Sequence, residues 1–344
     1  MTFNNFNLLR LLAALQVVYI HSVEHLKITN EIILMIKNII AYFPGVPIFF
    51  LISGYLITMS YEKNQNKYEY IRNRALRILP GLYVSFIIGL VILWCFDQFK
   101  DVLFLDILLW TFAQLTLFQF YNPEFIRDFG VGVINGSLWT ISVELTFYII
   151  LPFIYIFLKR DFLKRFLFLL FLSLIFYYYM QYISTNTLIY EKLIKSSILP
   201  YLFYFLFGLY KYSNQFEKYI SNKVFIYLSF YIMVLFFQVN FFVYDIFKQI
   251  IFSLFIFSFV FSYRILSYRL MKHNDFTYGI YIYHMLIVNV FVELGYQGGV
   301  KNLFLVLMLS IVSGVLSYFL IERPFLTMKK KSLYSDLNAK DMAK

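Results

Sequence analysis

The chain has 344 residues, of which 61% are apolar and 22% aromatic, while only 14% carry a charge. A soluble domain is closer to half apolar and a quarter charged, so this chain lacks the polar side chains to cover a water-facing surface. That excludes an ordinary soluble enzyme, a disordered chain and a water-facing β architecture, and long apolar runs point to membrane helices rather than alternating barrel strands.

In chain order, apolar segments of about span length occur near 8–26, 43–60, 78–96, 102–120, 138–158, 166–183, 197–210, 224–242, 247–263, 276–294 and 302–321. The first follows a start without Lys or Arg and lacks a small-residue cleavage site, so it reads as a retained span. No Pro- or Ser-rich linker and no internal repeat divides the chain. The expected organisation is one transmembrane domain over 1–324 and a short basic cytoplasmic tail over 325–344.

The 30 Lys and Arg against 19 Asp and Glu, for a net charge of +11, report topology rather than a nucleic-acid partner. If 102–120 does not cross and the N-terminus is cytoplasmic, 22 of the 30 basic residues lie inside. If all eleven segments cross, only 11 do. The positive-inside rule therefore predicts an all-α integral membrane protein, a bundle of about ten transmembrane helices with both termini cytoplasmic. The segment 102–120, edged by Asp97 and Asp101 and interrupted by Asp106 and Gln114, is expected to be re-entrant or interfacial. The single cysteine, Cys95, excludes intramolecular disulfides and a Cys-rich metal site, and its expected place is a buried, small apolar position.

Polar groups inside a bilayer are costly, so they mark where chemistry is sought first. In the first span Arg10 lies at the inner end, and His21 is about 16 Å further along the axis at 1.5 Å per residue. His21, Glu24 and His25 share one face through i+3 and i+4 spacing. A neutral imidazole accepts a hydroxyl proton near neutral pH, which makes His21 a candidate general base; a histidine satisfied by a neighbouring helix is the structural alternative. His21-Ser22-Val23-Glu24-His25 also fits the H-x-x-E-H pattern of inverted zinc proteases. Zinc needs a third protein ligand, and no metal site is assigned.

The inner loop Tyr70–Pro80 carries Arg72, Arg74 and Arg77. Guanidinium forks match phosphate geometry, so this loop is a candidate site for a phosphorylated cytoplasmic donor, with anchoring to lipid phosphates as the alternative. Asn135-Gly136-Ser137-Leu138-Trp139-Thr140-Ile141-Ser142-Val143-Glu144 opens the next span and buries a carboxylate that needs a cation or a proton. His21 reaches a similar depth, so the two are a possible pair; Trp139 also fits an interfacial aromatic. Phe276–His284 places a second histidine near mid-membrane, with Tyr281 and Tyr283 lining a site or merely packing. Gly45–Tyr55 supplies Gly and Ser for close helix approach, and its Ser53 has neither an adjacent base nor a nucleophile elbow.

Taken together these segments resemble the membrane-bound acyltransferase-3 family, which includes bacterial polysaccharide O-acetyltransferases. The resemblance runs from Leu8 to Pro324 in the family's order: Arg10 and His21 with ten residues between them, Gly45-Val46-Pro47-Ile48-Phe49-Phe50-Leu51-Ile52-Ser53-Gly54, Arg74 and Arg77 before Pro80, Ser137-Leu138-Trp139 with Ser142-Val143-Glu144, Tyr278-Gly279-Ile280-Tyr281 with His284, and Ile321-Glu322-Arg323-Pro324. Pro47 departs from the acidic residue of many members. The C-terminal esterase-like domain of some members has no counterpart, so the chain resembles the stand-alone type.

The resemblance implies transfer of an acyl group, acetyl by default, from cytoplasmic acyl-CoA to a hydroxyl of a cell-surface polysaccharide or its lipid-linked precursor at a bacterial inner membrane. It implies His21 as the catalytic histidine, Arg10 as its companion and Glu144 in the core, where it is expected to orient the imidazole or stabilise its protonated form, with Arg72, Arg74 and Arg77 at the donor. His25, Trp139, Ser142, Tyr281 and His284 are candidates for lining the substrate. Acetyl-CoA is the expected donor, with no permanently bound cofactor; a glycan or lipid-linked glycan and membrane lipids are the expected partners, without nucleic acid. A glycan transporter or polymerase would share the spans but need no acyl donor, and an intramembrane metalloprotease would need stoichiometric zinc.

Overall fold

A bilayer offers no water to backbone amides, so a chain this apolar must satisfy them within helices or a closed barrel. The computed structural model describes residues 5–63, 66–183, 189–210, 214–237, 242–262, 266–271 and 274–328, and among these it contains helices and no strand. The protein is an all-α, multi-pass membrane protein.

The first helices are α1 (Phe6–His25), α2 (Glu31–Ala41), α3 (Gly45–Lys63), α4 (Lys67–Cys95) and α5 (Phe104–Leu115). Then come α6 (Trp139–Leu158), α7 (Phe162–Tyr178), α8 (Ile189–Lys195), α9 (Leu202–Tyr210) and α10 (Asn214–Ile220). The last are α11 (Val224–Phe236), α12 (Phe242–Phe261), α13 (Leu266–Met271), α14 (Thr277–Glu293) and α15 (Val300–Ser317), which runs on through a π-helical turn at Tyr318–Glu322. Among the described residues seven helical stretches are long and apolar enough to cross a bilayer: Phe6–His25, Glu31–Glu62, Lys67–Cys95, Gly136–Leu158, Phe162–Tyr182, Val243–Phe261 and Val300–Met328. The expected spans 197–210 and 224–242 correspond to shorter apolar helices, Leu199–Leu209 and Val224–Phe236, and 276–294 corresponds to the 17-residue α14. The segment expected to be re-entrant, 102–120, holds only the 12-residue α5. Of the expected tail 325–344, everything after Met328 lies outside the described residues.

Three local features differ from the sequence reading. Residues 31–41, expected as part of an outer loop, form α2, whose start is capped by the Asn30 side chain accepting from the Ile33 amide at 3.2 Å. The arginine-bearing loop Tyr70–Pro80 is helical, because α4 begins at Lys67 behind the Asn66 cap, which accepts from the Tyr68 amide at 2.9 Å. At about 43 Å its 29 residues exceed the roughly 30 Å hydrocarbon core, so a hydropathy boundary near Ile78 marks the bilayer edge and not the helix start. Cys95, expected to be buried, is exposed at the last residue of α4, where the chain turns away.

The chain divides into two compact units built from interleaved segments. One comprises Met1–Ala13, Pro44–Lys63 and Val143–Asp275, the other Ala14–Phe43, Asn64–Ser142 and Phe276–Lys344. In the first unit α3 packs on α9, and α11 on α12. Gly54 of α3 lies directly against the Phe205 carbonyl of α9, so the small residues of Gly45–Tyr55 do serve close approach.

In the second unit α14 packs on α15 and α4, and Val23, Leu26, Ile33, Val288, Leu303 and Val306 share one core cluster. The α14–α15 crossing rests on two glycines: a Cβ on Gly279 would stand 2.9 Å from both the Cα and the carbonyl oxygen of Gly314. A backbone neighbour cannot yield as a side chain can. Gly279→Val should therefore destabilise the protein by about 3 kcal/mol or more, read as a lower thermal transition and reduced membrane levels.

Candidate active site

The polar residues of the second unit converge on α14, all of whose central positions from Gly279 to Leu286 are buried. His284 has no exposed surface. Its Nε2 lies 3.0 Å from Nδ1 of His21 on α1, and the two rings stack with centroids 5.2 Å apart at 25°. His284 Nδ1 lies 2.6 Å from the Tyr281 carbonyl oxygen, one helical turn back. His25 follows on α1, half-buried, with its ring centroid 5.9 Å from that of His21. Glu24, the middle of the H-x-x-E-H pattern, points away to an ion pair with Lys37 of α2 at 2.8 Å. Among the described residues no three His, Cys, Asp or Glu side chains gather as metal ligands would.

The Asn135–Ser142 motif fastens α14. Asn135 Nδ2 donates to the Ile282 carbonyl at 2.7 Å, and Ser85 of α4 donates to the same oxygen at 3.2 Å. Ser137 donates to the Asn135 side-chain oxygen at 2.7 Å and lies 3.4 Å from the Tyr281 carbonyl oxygen, while the Thr140 and Tyr281 hydroxyls lie 2.8 Å apart. A turn lower, the fully buried Asn289 donates to the carbonyls of Val133, Ile134 and Met285 and accepts from the Val131 amide. Gly130 beside it has φ +57° and no room for a Cβ against the Asn289 side chain, so only glycine fits. Such a fully satisfied buried network holds one geometry. Trp139 is half-buried at the first position of α6. Ser142 is buried and bonded to Gln119, so it is engaged with the segment after α5.

The arginines lie on the projecting part of α4. At 3.6 residues per turn, Arg74 and Arg77 are about 60° apart round the helix, whereas Arg72 lies about 160° from Arg74. Arg72 pairs with Glu69 at 3.5 Å. The structure thus keeps Arg74 and Arg77 together and turns Arg72 away. One residue beyond Arg77, the Ile78 carbonyl accepts from the Tyr278 hydroxyl of α14 at 2.8 Å. Tyr278 is six residues before His284, a rise of about 9 Å.

Also in the second unit, a largely apolar cavity of about 370 Å³ opens between α4, α14 and α15, lined among others by Ile88, Ile92, Tyr283, Leu286, Leu309 and Leu316.

In the first unit Arg10, the expected companion of His21, forms an ion pair with Asp275 at 3.3 Å, with Asp275 5% exposed. Glu144 accepts from the Ser53 hydroxyl at 3.2 Å and from the Tyr148 hydroxyl. Both partners are hydroxyls, whereas the sequence reading looked for a cation or a proton. Asp275, Gln119 and Asn289 were not singled out from sequence. A search for an acid to balance Arg10 would have reached Asp275; the two amides gave no signal, because their partners lie far along the chain.

The order of these motifs can be compared with known proteins. The profile of the acyltransferase-3 family, described as an acyltransferase domain, matches residues 3–323. The chain belongs to the acyltransferase-3 family. It is 34% identical over 158 residues to nodulation protein 10 of Rhizobium leguminosarum bv. viciae, covering 43% of each chain. It is 34% identical over 127 residues to the peptidoglycan O-acetyltransferase OatA of Listeria monocytogenes, covering 34% of this chain and 20% of that one. It is 33% identical over 108 residues to an O-acetyl transferase of Shigella phage Sf6, covering 31% of this chain and 32% of the phage protein. The matches thus span less than half the length of each of these relatives. No solved structure matches the chain significantly.

Proposed function

We propose that this protein is a membrane O-acyltransferase. It moves an acyl group, by default acetyl, from cytoplasmic acyl-CoA to a hydroxyl of a cell-surface polysaccharide or its lipid-linked precursor, in a bacterial cytoplasmic membrane crossed about ten times with both termini inside. The observation that carries this reading is His21: in a chain of the acyltransferase-3 family, one ring nitrogen is held by His284 and the other makes no hydrogen bond to a described residue. Two of the relatives, a peptidoglycan O-acetyltransferase and an O-acetyl transferase, support it.

The CoA nucleotide is too highly charged to enter hydrocarbon, so it docks on Arg74 and Arg77, whose guanidinium groups bind phosphate through paired hydrogen bonds. The flexible pantetheine arm carries the thioester along α14 from the level of Tyr278 towards His21. There His21 takes the proton of the acceptor hydroxyl as its oxygen bonds to the thioester carbon. The tetrahedral intermediate then collapses with breakage of the C–S bond, and the proton passes to the departing thiolate of CoA.

Comparison of surface-glycan ester content by NMR in cells with and without the protein tests this reading. O-acetyl signals that depend on the protein are expected. Identical spectra, with the protein present in the membrane, would count against acyl transfer.

A further inference from the structure

We propose that His284 is the positioning residue for the reaction: by holding His21 in a single tautomer and orientation, it makes Nε2 of His21 the base nitrogen. This rests on the acyl-transfer reading, with His21 as base.

The argument starts from an atom that has no choice. The Tyr281 carbonyl oxygen only accepts, and it lies 2.6 Å from His284 Nδ1, so that nitrogen carries the hydrogen. A neutral imidazole protonated at Nδ1 presents a lone pair at Nε2. That lone pair faces His21 Nδ1 at 3.0 Å, so His21 Nδ1 must be the donor. The lone pair of His21 is thereby placed on Nε2. One backbone carbonyl thus orients two rings, with no carboxylate in the chain. The opposite orientation would set His284 Nδ1 and the carbonyl against each other as two acceptors, leaving the ring nitrogen unsatisfied on a side chain with no exposed surface.

The residue that supplies this carbonyl is itself held. The Tyr281 hydroxyl meets Thr140 at 2.8 Å, and the next carbonyl along, that of Ile282, accepts from Asn135 at 2.7 Å. The two rings lie at 25° with centroids 5.2 Å apart, an orientation that suits the N–H···N bond between them. When Nε2 takes the acceptor proton, the His21 Nδ1–H···Nε2 bond to His284 becomes charge-assisted and therefore stronger. An interaction that strengthens as the reaction proceeds lowers the barrier, which equal binding of both states would not do. His284 touches neither donor nor acceptor; it acts through His21.

The test compares His284→Leu, His284→Gln and His21→Ala in full-length protein reconstituted in phospholipid vesicles, with acetyl-CoA as donor and the surface-glycan fraction of the source cells as acceptor. The glutamine amide oxygen can still accept from His21 Nδ1–H, and leucine cannot. His284→Leu is expected to lower kcat about 100-fold or more with the KM for acetyl-CoA unchanged, because a misoriented imidazole loses most of what general-base catalysis supplies. His284→Gln is expected to stay within about 10-fold of the parent protein. Nitrogen-15 NMR of labelled histidines should show His21 and His284 as Nδ1–H tautomers, with His21 leaving that form in His284→Leu.

A merely structural role predicts the reverse order, since leucine suits a buried apolar site better than an amide, and it leaves the His21 tautomer unchanged. His284→Leu at the parent rate, or an Nε2–H tautomer of His21 in the parent protein, overturns the inference while the base assignment stands. An active His21→Ala overturns the base assignment and the inference with it.

Discussion

His21→Ala is expected to lower kcat for acyl transfer by about 1,000-fold, the middle of the range for loss of a general base. The side chain is partly buried and, among the described residues, its hydrogen bond is to His284, so truncation removes the base without emptying the core around Asn289. Two readouts separate chemistry from folding. The variant should reach the membrane in normal amounts, and its KM for acetyl-CoA should hold, because the base acts on the acceptor hydroxyl rather than on the donor nucleotide. A tenfold loss or less would show that water or another group can replace His21.

Arg74→Ala/Arg77→Ala should raise the KM for acetyl-CoA by about 100-fold with kcat at saturating donor nearly unchanged. Charge-assisted hydrogen bonds contribute roughly 1.5–3 kcal/mol each, so two lost arginines account for a hundredfold or more. Arg72→Ala is the internal control: it lies on another side of α4 and is engaged by Glu69 at 3.5 Å, so its effect should be several-fold smaller. Initial rates against acetyl-CoA concentration, at low and high salt, provide the measurement. Equal effects of all three substitutions would mean a diffuse basic surface rather than a paired site.

The helical class was legible because the bilayer leaves an apolar chain so few options. Boundaries were not. Hydropathy reports where hydrocarbon ends, whereas α4 continues to Asn66, where a side-chain cap stops it. Single residues were read unevenly for the same kind of reason. His21 and His284 could each be marked as costly polar groups on apolar helices, but their pairing spans 263 positions and no periodicity encodes it. The same holds for Ser53, set aside for want of a base nearby in sequence, whose hydroxyl is bonded to Glu144 91 positions away. Cys95 was misplaced because composition gives its usual environment, while its position at the end of α4 gives its actual one.

The central claim is acyl transfer from CoA to a glycan hydroxyl by a single membrane protein. It is tested most directly by reconstituting the purified chain in vesicles with acetyl-labelled acetyl-CoA and the surface-glycan fraction. The account predicts label in the glycan as an alkali-labile ester, one acetyl for each CoA thiol released, and both products formed about 1,000-fold more slowly with His21→Ala. Glycan that stays unlabelled while wild-type protein remains folded and inserted, or label that His21→Ala transfers equally well, would contradict it.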